Sequence, residues 1–432
     1  MRQRVFAASL LAAGIMVGPV AVPAIADDSI RADQWHLDAM HASEMWKISK
    51  GEGVIVAVID GGFRLDHPDL AGQFLPGKDF SGSPGGVGSY DNGHGTEMAS
   101  LIAGTGKNRG GNGAYGLAPS SRILPLKINN GSAGSVTTAD FLDQIGQAVT
   151  YAVDQGARVI NISQGTAAVA ASPEGVAKLN GILATARERG SLVVSSVGNS
   201  AQSGNLIEYP GALPNVVGVG AVDRDGTVTS ESQMGPQVAL VAPGMDMIEA
   251  CTSSTGYCKS HGTSDATALV SASAALVWSV HPDWTANQIL RVLINTAGKS
   301  SDGAIRNNDA GYGAVRPRIA LTSPGDPGPA DVSPISIPEA SAPAAPSPSA
   351  SPSATSTPSS SSAAPSPSDV AVGAPPVGPA AEKSSGSGGA LPVVAGVVGG
   401  LVLVAGVVFV VLRRRKASGQ PAVPPGEDPY VR

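Results

Sequence analysis

Six short, largely β-branched apolar runs recur along one stretch of the chain: Val54 to Ile59, Ile123 to Ile128, Val159 to Ile162, Leu192 to Val197, Val216 to Ala221 and Val238 to Ala242. A strand with one wet face alternates apolar and polar residues, whereas a strand without that alternation is covered on both sides, as in a parallel sheet between helices. Segments of helical spacing separate the runs. Thr137 to Gln155 sets Phe141, Leu142, Ile145, Ala148, Val149 and Ala152 along one face, with Thr137 or Thr138 as cap and Gly156 as stop. Pro173 to Arg189 follows Ser172, with proline at the first helical position. Strands alternating with helices of this length predict an α/β fold, a doubly wound and mostly parallel sheet flanked by helices, over residues 53–322. In such sheets function gathers at the carboxyl ends of the strands.

The flanks have another character. Fifteen of the 34 prolines lie between Pro324 and Pro379, and residues 323–390 are so rich in Pro, Ser, Ala and Gly that no core can form there. This stretch reads as a disordered linker, spanning about 45–50 Å as a flexible coil. Residues 1–26 run from Arg2 and Arg4 through an apolar stretch to Ala24-Ile25-Ala26, the pattern of a secretory signal peptide, and leave 27–52 as an N-terminal extension. Val393 to Leu412 is uncharged and long enough to cross a bilayer, so 391–412 reads as a transmembrane helix. Arg413, Arg414, Arg415 and Lys416 follow and hold the tail, 413–432, in the cytoplasm, which places the folded domain outside the cell on a single-pass anchor. A net charge of −6 removes the basic footprint that phosphate contacts need, so nucleic acid is not an expected partner.

Three segments carry chemistry. Asp60 ends the first apolar run and precedes Gly61-Gly62, which puts a carboxylate at a strand's carboxyl end; alone it reads as readily as a turn cap. His94 lies in Asp91-Asn92-Gly93-His94-Gly95-Thr96, where flanking glycines let an imidazole approach a partner as general base. The other five histidines, His36, His41, His67, His261 and His281, read as structural. Ser264 lies in Gly262-Thr263-Ser264-Asp265-Ala266-Thr267 ahead of the apolar helix Ala268 to Val280, so its hydroxyl stands at a helix N-terminus able to receive developing negative charge. By itself it could equally be a helix cap. Acyl transfer needs a nucleophile, a base and a carboxylate to orient that base, and these three supply the set in the order Asp, His, Ser.

Val-Ile-Asp-Gly-Gly, Gly-His-Gly-Thr and Gly-Thr-Ser-x-Ala resemble the three signatures of the subtilisin-like serine proteases, from about Trp46 to Leu321. The resemblance implies a serine endopeptidase acting on polypeptide substrates through Asp60, His94 and Ser264. It also implies that Asn199, in Val194-Ser195-Ser196-Val197-Gly198-Asn199, donates to the oxyanion. Ser163, Gln164 and Gly165 then form the edge that pairs with substrate backbone and walls the pocket for the residue before the cut. No cofactor is implied and no metal site is expected; Asp66 and Asp69 read as turn and cap residues. Cys251 and Cys258, the only two thiols, are expected to form a disulfide outside the cell.

Three positions depart from the family pattern. Asp265 follows the nucleophile where Met is usual, with Ala268 in place of Pro. Glu97 replaces a usual His. A carboxylate beside the nucleophile opposes oxyanion formation unless it turns away, which predicts a slow protease. The short 27–52 extension, the Arg31 to Met40 segment, the linker and the single C-terminal span resemble the mycosins, membrane-anchored proteases associated with bacterial type VII secretion. That resemblance implies limited processing of exported proteins beside a type VII secretion membrane complex. Two alternatives are a catalytically silent structural subunit or wall-facing binding module, and a general surface protease.

Overall fold

All six apolar runs form strands of one sheet. The computed structural model describes residues 29–129, 136–299 and 304–335. The expected signal peptide, transmembrane helix and tail lie outside these residues, as do most of the linker and a second unit, Ser341–Gly426. Among the described residues no helix is long and apolar enough to cross a membrane.

Three short helices, α1 (Ile30–Asp33), α2 (Trp35–Ala39) and α3 (Ala42–Met45), lead into β1 (Ile55–Asp60). Then come β2 (Lys78–Asp79), α4 (His94–Ala103), β3 (Arg122–Lys127), α5 (Thr138–Asp154), β4 (Val159–Ile162) and β5 (Thr166–Ala167). The chain continues through α6 (Pro173–Glu188), β6 (Leu192–Ser196), β7 (Glu208–Tyr209), β8 (Val217–Val222) and β9 (Val238–Pro243). A hairpin of β10 (Met247–Ala250) and β11 (Tyr257–Ser260) precedes α7 (Thr263–Val280), α8 (Ala286–Asn295) and α9 (Pro317–Thr322).

The main sheet has the order β2-β3-β1-β4-β6-β8-β9, and its strands pair in parallel. Its short edge strand β2 carries too little apolar sequence to be read in advance. In β1, Val56 and Val58 pack into the layer built by α4, α7 and α8, while Ala57 and Ile59 pack into the layer of α5 and α6. Both faces are dry, which is why the run shows no polar alternation. The expected caps form: the Thr137 side chain accepts from Asp140 N–H and the Ser172 side chain from Gly175 N–H.

Helix α7 has fifteen of its eighteen residues buried, so it must be non-polar or internally satisfied all round. Five alanines and five larger apolar residues supply ten of those positions, and Thr267 and Ser273 return their hydroxyls to backbone carbonyls one turn earlier. It starts at Thr263, ahead of the apolar run expected from Ala268, because the polar residues before that run are helical too.

The folded body extends beyond 53–322 at both ends. Trp35, Leu37, Met40 and Met45 are buried in the layer of α4 and α7. Gln34 ties this segment down, donating to the carbonyls of Tyr115 and Ile248 and accepting from Tyr115 N–H. Of residues 27–52, expected as an extension, the described part from residue 29 onward is therefore largely integral to the core. At the far end Ile335 is buried and Arg291 donates to the Val332 carbonyl, so the start of the expected linker lies against the body.

Candidate active site

Strand β1 lies between β3 and β4, where the chain switches direction across the sheet, and such a switch point opens a crevice at the carboxyl ends. Asp60 ends β1 there, fully buried. Its Oδ1 accepts from Gly61 N–H at 2.7 Å, and its Oδ2 accepts from His94 Nδ1 at 2.8 Å. His94 is the first residue of α4 and its side chain is 24% exposed, so the ring edge opposite Asp60 can meet a substrate. The helix can approach this closely because residue 95 is glycine: a Cβ there would lie 2.6 Å from the Gly62 carbonyl oxygen and 3.0 Å from Asp60 Cβ.

Ser264 sits in the first turn of α7. Its Oγ donates to the Ser163 carbonyl at 3.3 Å, and it makes no hydrogen bond with His94. A buried polar thread fixes this junction: Ser271 donates to Asn161 Oδ1, Asn161 Nδ2 to Ser163 Oγ, and Ser163 Oγ to the Ser264 carbonyl. Asn199 follows β6, and its Oδ1 accepts from both the Thr263 N–H and the Thr263 hydroxyl. That leaves the Asn199 Nδ2 protons for another acceptor. The α7 N-terminus thus sits between the ends of β4 and β6.

Gln164 differs from its expected place as pocket wall. Its side chain turns inward, with Nε2 donating to Asp60 Oδ1 at 3.0 Å. Ser163 and Gly165 remain beside Ser264 and β7.

Asp265 is buried and faces away from the cleft towards the hairpin, accepting from Ser260 Oγ at 2.7 Å. Burial pushes its carboxyl up to about 6, against the Ser260 bond and the His94 charge. Two more carboxylates converge there, and sequence gave no sign of it. Glu249 is fully buried with both oxygens unpartnered among the described residues, and burial plus the charges of Asp265 and Glu97 hold it well above the usual range. Burial raises Glu97 as well. For His94, burial would lower the imidazole, but the charge and hydrogen bond of Asp60, with Glu97 and Asp265 behind, prevail and raise it to about 9.

Cys251 and Cys258 form a disulfide at the loop end of the β10–β11 hairpin, with Cα atoms 5.8 Å apart. Glu97 lies against it, within 4.8 Å of both sulfurs, which in a disulfide offer no thiolate to a cation. Asp69 is a structural anchor, accepting from Asn108 N–H, Ala114 N–H and the Tyr257 hydroxyl. His67 bonds the Gly256 carbonyl, and His36 is buried in the N-terminal segment, its imidazole pushed down to about 3 by burial and nearby Arg31.

Glu208 in β7 was not anticipated, because only the pairing of β7 with β5 brings it to the site. Its Oε1 accepts from Gln233 Nε2 at 2.8 Å and its carboxylate lies beside Gly165 and Gly198.

The family profile described as Peptidase S8, the subtilase family, matches residues 51–313. Thermitase from Thermoactinomyces vulgaris is 32% identical over 275 residues, covering 64% of this chain and 92% of that protein. The crystal structure of MycP1 from the ESX-1 type VII secretion system superposes with a TM-score of 0.59 at 27% identity, covering 69% of this chain and 88% of that one. A chain in the periplasmic assembly from the ESX-5 inner membrane complex gives a TM-score of 0.60 at 27% identity, covering 72% and 90%. With a parallel sheet, an aspartate-bound histidine at its crevice and a family match over more than half its length, the chain belongs to the subtilase family of serine proteases.

Proposed function

We propose that this protein is a membrane-anchored extracellular serine endopeptidase that carries out limited processing of exported polypeptides beside a type VII secretion membrane complex. Ser264 Oγ is the nucleophile. Rotating from the Ser163 carbonyl towards His94, it gives its proton to the imidazole as it attacks the scissile carbonyl. Asp60 keeps the imidazole's other nitrogen protonated and stabilises the cation that forms. The tetrahedral oxygen is received by Asn199 Nδ2 and the backbone N–H of Ser264 at the positive end of α7. Collapse expels the amine, protonated by His94, and leaves an acyl-enzyme at Ser264. Water activated by the same histidine then releases the acid.

The observation that carries this reading is the 2.8 Å Asp60–His94 bond at the crevice where Ser264 opens α7. The likeness to MycP1 and to the ESX-5 assembly supports the secretion partner. The proposed topology is a signal peptide over 1–26, a linker over 323–390, a single span over 391–412 and a cytoplasmic tail over 413–432. A serine-directed phosphonate offered to the purified ectodomain tests the chemistry. Labelling that Ser264→Ala abolishes is the expected result, and a wild type that never labels marks a catalytically silent module.

A further inference from the structure

The ends of β4 and β6 bound a slot beside Ser264. On one side stand Ser163, whose carbonyl accepts the Ser264 hydroxyl, and then Gly165. On the other stand Gly198 and Asn199, whose amide holds Thr263. The Glu208 carboxylate lies between these two walls. A Cβ on Gly165 would be 2.8 Å from Glu208 Oε2, and one on Gly198 would be 2.7 Å from Glu208 Cδ. The wall residue that meets the carboxylate is glycine on each side, so neither of these two positions puts a side chain over it.

Glu208 is built in. It is half-buried, paired across the β5–β7 ladder with Ala167, and held through Oε1 by Gln233 Nε2 at 2.8 Å and more weakly by Ser200 Oγ at 3.5 Å. Gln233 is itself fixed by a bond to Ser200 Oγ. Oε2 has no hydrogen-bond donor, and Glu208 has no ion pair, among the described residues. A half-buried carboxylate with one oxygen satisfied by neutral donors and the other unpartnered is a site for a cation.

The side of the substrate that meets this cation site follows from the chemistry. The oxyanion donors, Asn199 and the Ser264 N–H, lie at the slot, so the residue bearing the attacked carbonyl has its side chain there. His94, which protonates the departing amine, stands towards Asp60, so the leaving half lies away from the slot. We propose that Glu208 is a specificity-determining residue that selects substrates with Lys or Arg immediately before the cleaved bond. This rests on the assignment of Ser264 as nucleophile.

Two phosphonates that differ only in the side chain next to phosphorus, one lysine-like and one leucine-like, separate the two ideas. Wild type is expected to label faster with the basic probe by roughly tenfold to a hundredfold, the range for a hydrogen bond to a charged group. Glu208→Gln keeps the size and the Gln233 contact and should erase that preference while the leucine-like probe still labels. Because burial raises the Glu208 carboxyl against the bonds from Gln233 and Ser200, the preference should fade as pH drops through the raised value, and Glu208→Gln should show no such pH effect. Equal labelling by both probes in the wild type, or a preference that survives Glu208→Gln, overturns the role of Glu208 alone. Failure of both probes to label overturns the nucleophile assignment and this inference with it.

Discussion

Gln164 Nε2 donates to Asp60 Oδ1 at 3.0 Å, so the carboxylate that orients His94 is itself held from the end of the neighbouring strand. Gln164 is a positioning residue in this arrangement. Gln164→Leu removes a hydrogen bond to a charged group and should lower kcat about tenfold with little change in KM. Steady-state kinetics on one peptide separate the two constants, and a loss confined to KM would mean that Gln164 serves binding instead.

The His94 imidazole is the base, and it works only when neutral. Its raised value, about 9, means that activity is lost as pH falls through a limb well above the ordinary histidine range. Glu97 is one of the negative charges that hold it up. Glu97→Gln should therefore shift the acid limb of kcat/KM to lower pH and make the enzyme more active near neutrality. A limb that stays in place would show that Glu97 is not coupled to His94.

Asp265 is raised to about 6 in the fold, against about 4 in an unfolded chain. The native state then binds more protons than the unfolded state between those values, so this group's contribution to stability is complete below about pH 4 and is lost as pH rises through about 6. Asp265→Asn keeps an acceptor for Ser260 and should flatten that part of the stability profile, read as urea midpoints from pH 4 to 7. The same change removes one of the negative charges that raise His94 and should therefore raise turnover near neutrality by about threefold to tenfold. Unchanged turnover would mean that turning towards Ser260 has already taken the charge out of play.

Much of this was legible beforehand. The six strands show in sequence because both faces of the sheet are dry, and Asp60, His94 and Ser264 each sit in a short glycine-bearing motif. What was not legible depends on distant contacts. Nothing local marks Glu97, Glu249 and Asp265 as neighbours, since they come from α4, β10 and α7. Glu208 reaches the slot only through a two-residue ladder, and the inward turn of Gln164 depends on Asp60 being an available acceptor. The reading of residues 27–52 as an extension missed that Trp35, Leu37, Met40 and Met45 fill a layer completed more than 200 residues later by α7.

That N-terminal segment acts as a keystone. With Gln34 stapled to Tyr115 and Ile248 and four large side chains sunk beneath α4 and α7, excision within residues 30–49 would strip the enzyme of its own foundation. Cutting that stretch away is therefore expected to loosen the core rather than to release a finished enzyme.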